Sequence, residues 1–228
     1  MYYTLKRFLD ILISASVMIV LSPLFFLLAI AIKLDSHGPV FYLQDRLGKS
    51  GVSFKMYKFR SMVVDAETQG AGLFNYENDP RVTRVGHFLR STSLDELPQL
   101  INVLKGDMSL VGPRPPVSYE LGDYETLNKR YKKRFSVVPG ITGLAQVEGR
   151  NNISWDRKVD YDNEYIDLIK KRGLWVDLTI LLKTVLNVFQ KKDIYENKIN
   201  PDISDEQSAK ETEEEIIAKA HAKEDENS

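Results

Sequence analysis

The chain has 228 residues, enough for one globular domain with a membrane segment and a tail. It has no cysteine, which excludes disulfides and thiolate metal sites, and His37, His87 and His221 are too scattered for a zinc set. The formal charge of −1 is uneven: after Asn200, ten acidic residues face three basic ones, a net of −7, which leaves +6 on the rest. A basic body points to anionic lipid, nucleotide or phosphate partners, and ordinary positive-inside charge accounts for part of the excess.

Ile11 to Ile32 is an uncharged apolar run with Ser22-Pro23 at its centre. A bilayer-spanning helix needs about 20 apolar residues. Pro23 has no N–H and clashes with the Ile19 carbonyl one turn back, so the helix bends or breaks there, and the Ser22 hydroxyl is placed to satisfy the broken turn. Lys6 and Arg7 precede the run, and Lys33, Arg46 and Lys49 follow it. Positive charge marks the cytoplasmic side within roughly 15–20 residues of a membrane segment. A helix that enters, breaks at Pro23 and returns leaves both basic flanks inside. A kinked single-pass anchor competes with this reading. A cleaved signal peptide fits worse, because its apolar stretch is about 7–15 residues, whereas this run is longer, begins beside Asp10 and is interrupted by proline.

After this membrane element, residues 1–35, the β-prone runs Val40–Tyr42 and Phe54–Arg60 are separated by turn residues around Gly48 and Gly51. Residues 63–80 read as a polar loop. Apolar residues at 94, 97, 100, 101 and 104 mark a helical face. Residues 106–117 read as a loop, 119–134 as a charged helix, 139–143 as a turn and 156–171 as a second charged helix. From Leu174 to Gln190, one stripe carries Asp177, Lys183, Thr184, Asn187 and Gln190 while the rest is apolar. That suits an interfacial helix with Trp175 at its end, or an amphipathic core helix. The segment after Pro201 has too few large apolar residues to order itself.

Ser93-Leu94-Asp95-Glu96 opens the first of these helices. Ser93 and Glu96 fit a capping box, which explains the acids by stability alone. The competing reading is a carboxylate pair that holds a magnesium ion or attacks phosphorus. Gly112-Pro113-Arg114-Pro115-Pro116 presents Arg114 from a stiff loop, and a guanidinium is a good bidentate phosphate partner. Lys58, Arg60, Arg90 and Arg150 add cations.

Together, Arg46-Leu47-Gly48, Tyr57-Lys58-Phe59-Arg60-Ser61-Met62, Ser93-Leu94-Asp95-Glu96-Leu97-Pro98-Gln99-Leu100, Asn102-Val103-Leu104-Lys105-Gly106-Asp107-Met108-Ser109, Val111-Gly112-Pro113-Arg114-Pro115, Pro139-Gly140-Ile141-Thr142-Gly143 and Gly149-Arg150-Asn151 occur in this order. The chain resembles the bacterial sugar transferase family, the monotopic phosphoglycosyl transferases, over roughly residues 3–190. The sequence has no long multi-spanning N-terminal region, as in the small form of that family.

The resemblance implies transfer of a sugar 1-phosphate from a UDP-sugar to a polyprenol phosphate such as undecaprenyl phosphate. UMP leaves, and the product starts a glycoconjugate or exopolysaccharide. It implies a re-entrant helix broken at Ser22 and Pro23 and Mg²⁺ held at Asp95 and Glu96. Asp95 is the nucleophile, Glu96 a metal ligand or acceptor-orienting group, and Arg114 the main phosphate contact, with Lys58 and Arg90 as secondary ones. The fold class expected is α+β, mainly α. Residues 1–35 form the re-entrant element, 36–200 a cytoplasmic catalytic domain with interfacial helices, and 201–228 a disordered acidic tail. The location expected is the cytoplasmic face of a bacterial plasma membrane, with membrane lipids as partners and a homo-oligomer left open. A membrane-anchored scaffold that binds anionic lipid is the competing class. Nucleic acid is disfavoured, because the basic residues are mixed with acids and no recognition motif appears.

Overall fold

The computed structural model describes residues 2–68, 79–149 and 153–189. All of the expected disordered tail, most of the polar loop at 63–80, and Arg150 with Asn151 lie outside them. Helices α1 (Tyr2–Val20) and α2 (Ser22–Asp35) meet at Leu21 with a bend of 62°. Pro23 stands in the first turn of α2, where a missing N–H costs least. The Ile19 carbonyl, which that N–H would have served, accepts from Ser22 Oγ at 2.8 Å. Among the described residues no single helix is long and apolar enough to cross a membrane, though the bent pair together passes by length and composition.

Charged residues at the flanks of the apolar run also hold the fold together. Lys6 pairs with Asp177 at 3.1 Å, and Arg7 donates to the Val103 and Leu104 carbonyls at 2.5 and 2.9 Å. Buried Asp10 accepts from the Leu110 N–H at 3.1 Å. At the far end of the pair, Asp35 accepts from the Val85 N–H at 2.9 Å. Arg60, 5% exposed, donates to the carbonyls of Ile32, Ser36 and His37, the cation capping the negative end of α2. Both ends of the pair are thus bonded to one body. The bend between them presents Ile19, Val20, Phe26 and Leu27, 62–74% exposed.

Strands β1 (Phe41–Leu47) and β2 (Ser53–Phe59) form the expected hairpin, antiparallel with Phe41 opposite Phe59 and Leu47 opposite Ser53. Then come α3 (Arg84–Ser91), a 3-10 turn at Leu94–Glu96 and α4 (Gln99–Lys105). Strand β3 (Ser109–Val111) pairs in parallel with β4 (Gly140–Thr142), so two segments read as loop and turn form a second small sheet. The charged helix expected over 119–134 is broken into two 3-10 turns around α5 (Lys129–Lys133). Asp123 and Asn128 accept from the backbone N–H groups of Glu125 and Tyr131, each starting a new short turn rather than continuing a helix.

Helix α6 (Leu144–Glu148) precedes α7 (Trp155–Arg172) and α8 (Leu174–Phe189), which stand where the sequence places them. The described part of the polar stripe of α8 faces the protein. Asp177 accepts from Tyr2 and Tyr165 at 2.8 and 2.7 Å, Lys183 pairs with Glu148, Thr184 bonds Thr142 at 2.7 Å and Asn187 donates to the Val147 carbonyl. Val176 and Ile180 enter the core with Val111, Val137, Tyr165, Ile166 and Ile169. Trp175, Leu178, Leu182, Val185 and Leu186 point outward, exposed. The molecule is mainly helical with two small sheets, the α+β class expected.

Candidate active site

Three segments bring Lys58, Asp95, Glu96 and Arg114 together. Helix α2 and β2 pack Leu28, Ile32 and Phe59 against Leu89 of α3 and Leu94, so the bent pair supports the floor of the 94–96 turn. Ser93 reaches that turn with φ 56, a left-handed conformation that costs a non-glycine residue roughly 1–3 kcal/mol. The capping box does not form. Ser93 makes no side-chain cap bond, and Glu96 turns to two cations instead. Lys58 Nζ lies 3.0 Å from Glu96 Oε1. Arg114 donates Nη2 to Oε1 at 2.5 Å and Nη1 to Oε2 at 3.3 Å, a fork-on-fork pair.

The two carboxylates are driven apart. Burial pushes Asp95 up to about 6, with the charge of Glu96 adding to the rise and Lys58, Arg90 and Arg114 opposing it. Burial would raise Glu96 too, but Arg114 and Lys58 outweigh it and hold that carboxylate well below its ordinary range. Glu96 is therefore the fixed counter-ion, and Asp95 the carboxylate free of hydrogen bonds among the described contacts. Arg90 stands one step back: its Nε donates to Ser61 Oγ at 2.9 Å while its charge acts on Asp95. Ser22 and Pro23 lie at the helix bend, where they shape the apolar element.

The loop carrying Arg114 is held on every side. The Gly112 N–H donates to the Thr142 carbonyl at 2.8 Å and the Gly140 N–H to that of Pro113 at 2.9 Å. These backbones run so close that a Cβ on Gly140 would fall 2.0 Å from the Gly112 nitrogen. Arg134 Nη2 donates to the Arg114 carbonyl at 2.7 Å, and its Nε to Asp162 at 2.9 Å in a buried ion pair. Arg46 Nη1 donates to the Pro115 carbonyl at 2.9 Å, its Nε and Nη2 gripping Gln44. Burial, then the nearby charge of Arg114, brings Arg46 down to about 10. These supports lie outside the sequence-predicted site. In the sequence Arg46 reads as flanking positive charge, and Arg134 and Asp162 look like surface charge on helical stretches.

Among the described residues no three His, Asp or Glu side chains group as a metal cage. The adjacent pair Asp95 and Glu96 fits instead a magnesium site completed by substrate, because that ion is usually held by one or two carboxylates together with phosphate oxygens. The open lone pairs of Asp95 are the donors best placed for it, since Arg114 and Lys58 already engage Glu96.

Comparison with known proteins agrees with this arrangement. The model of the bacterial sugar transferase family matches residues 1–191. The galactosyl transferase CpsE of Streptococcus agalactiae serotype III is 46% identical over 191 residues, covering 79% of this chain and 41% of that protein. The UDP-glucose:undecaprenyl-phosphate glucose-1-phosphate transferase of Escherichia coli is 43% identical over 196 residues, 84% of this chain and 41% of the relative. The chain thus spans about two fifths of the length of these relatives. The exopolysaccharide production protein ExoY of Rhizobium meliloti is 39% identical over 204 residues and is matched nearly end to end, 83% of this chain and 88% of ExoY. With residues 1–191 matched by the family model, the chain belongs to the bacterial sugar transferase family.

Proposed function

We infer that the chain moves a sugar 1-phosphate from a UDP-sugar to undecaprenyl phosphate and releases UMP. One observation carries this: Arg114 and Lys58 fix Glu96 while leaving adjacent Asp95 free, beside a bent apolar helix pair. The Asp95 carboxylate attacks the β-phosphorus of the UDP-sugar, an Oδ–P bond forms, and the bond to the bridging oxygen breaks as UMP leaves. An oxygen of the lipid phosphate then attacks the same phosphorus and frees Asp95. Of the five N–H donors of a guanidinium, Arg114 uses two on Glu96, so the remainder stabilise charge on the transferring group. Lys58, and Arg90 one step back, offset the negative diphosphate. Bound Mg²⁺, held by Asp95 with Glu96 beside it, would supply charge neutralisation to the diphosphate.

The acceptor is tethered in a bilayer, so the site must lie at its surface. Both ends of the α1–α2 pair are bonded to one body and the exposed apolar bend lies between them, which supports a re-entrant element with both ends on the cytoplasmic face. The outward apolar face of α8 supports an interfacial position for that helix. Residues 36–200 are then the catalytic domain, and the acidic tail after residue 200 stands outside it. A non-catalytic scaffold needs neither the carboxylate pair nor a braced arginine. The test is UMP release from a panel of UDP-sugars by purified protein with Mg²⁺ and undecaprenyl phosphate. Release from at least one sugar is expected, and release from none rejects the reading.

A further inference from the structure

Strand β2 has one edge paired with β1 and one edge open. All seven of its residues stand opposite β1, but the bonds at the two ends of the hairpin, Arg60 N–H to the Val40 carbonyl and Gly48 N–H to the Val52 carbonyl, put the hydrogen-bonded pairs at even-numbered residues such as Met56–Gln44 and Lys58–Tyr42, so the N–H of Tyr57 and the C=O of Lys55 point the other way. The carboxamide of Asn102 meets both. Its Oδ1 accepts from the Tyr57 N–H at 2.9 Å, and its Nδ2 donates to the Lys55 carbonyl at 2.7 Å. These are the two bonds that one residue of a parallel third strand would make. The side chain is rigidly mounted: Asn102 is fully buried, Nδ2 also donates to Asp107 at 3.1 Å, and its own carbonyl receives the N–H groups of Gly106, Asp107 and Met108. The next residue along β2 is Lys58, on the same face as Met56, which packs on Val103 and Met108.

We propose that Asn102 is a positioning residue for the reaction, holding the open edge of β2 so that Lys58 stays on the Glu96 carboxylate. The step it serves rests on the function inferred above, but the placement of Lys58 is measurable without turnover. Lys58 has a 16% exposed side chain, Lys6 a 13% exposed one far along the chain, and Lys55 a 57% exposed one. Brief acetylation of the full chain in lipid nanodiscs, read by peptide mass spectrometry at one fixed pH, therefore reports each lysine separately.

In Asn102→Ala, acetylation of Lys58 is expected to rise several-fold towards that of Lys55, with Lys6 still protected. Asp107→Ala, which removes one Nδ2 acceptor at a partly exposed site, is expected to give a smaller rise with the fold intact. In turnover, the double variant of Asn102→Ala with Lys58→Ala is expected to be no slower than Lys58→Ala alone, since both remove one interaction, whereas a merely structural loss would add. Unchanged protection of Lys58 in both variants, loss of protection at Lys6 together with Lys58, or an additive double variant overturns the proposal. If the parent protein releases no UMP, the functional reading fails while the acetylation pattern still decides whether Asn102 places Lys58.

Discussion

At the scale of single residues, the site separates two carboxylates that share a backbone. Asp95 is raised to about 6 chiefly by burial, so its reactive, ionised form is lost as pH falls through that value. The rate with UDP-sugar should therefore drop on the acid side near pH 6. Lys58 opposes the rise, so Lys58→Ala should push that limb to higher pH; a pH–rate series on the two proteins measures it, and an unmoved limb would separate Lys58 from Asp95. Arg114→Ala should slow turnover by about 10²–10³-fold, the scale for removing one preorganised electrostatic stabiliser. Asp162→Ala should cost about 3–5 kcal/mol in a denaturation experiment, because it leaves Arg134 charged and buried without its partner.

At the scale of elements, the bend at Ser22-Pro23 and the hairpin were legible because each depends on local chemistry: a missing N–H, a hydroxyl one residue away, glycines between β-prone runs. The β3–β4 pair was not, because three-residue strands owe their pairing to segments distant in sequence. Helix α4 shows a different limit. The apolar stripe predicts a buried face through Leu100, Ile101 and Leu104, yet of these only Leu100 is buried, and Gln99, Asn102 and Val103 are buried beside it, Asn102 on the polar edge of β2. Of the site, Lys58, Asp95, Glu96 and Arg114 are legible in sequence motifs and stand together, whereas the braces on Arg114 depend on tertiary contacts that no local pattern announces. Cysteine labels at Tyr3 and Ser53 should both be shielded from a membrane-impermeant reagent in intact cells. Labelling at Tyr3 alone would show a spanning helix. Leu182→Glu with Leu186→Glu should leave the fold intact, because both side chains are exposed, yet weaken membrane retention in a flotation assay.

At the scale of the whole molecule, the described body bonds both ends of the apolar pair, the carboxylate turn and the arginine loop into one unit. Truncation after Asn200 should leave turnover within a few-fold, since the acidic segment lies beyond the family match; a large loss with membrane binding intact would place that segment at the site. The central claim is that the phosphosugar passes through Asp95. It is tested most directly by mixing the purified chain with UDP-sugar and Mg²⁺ and omitting the lipid phosphate. The account predicts release of up to one equivalent of UMP and a gain of one sugar phosphate in intact mass, both abolished by Asp95→Asn. UMP that appears only when undecaprenyl phosphate is present, with no adduct on Asp95, would contradict it.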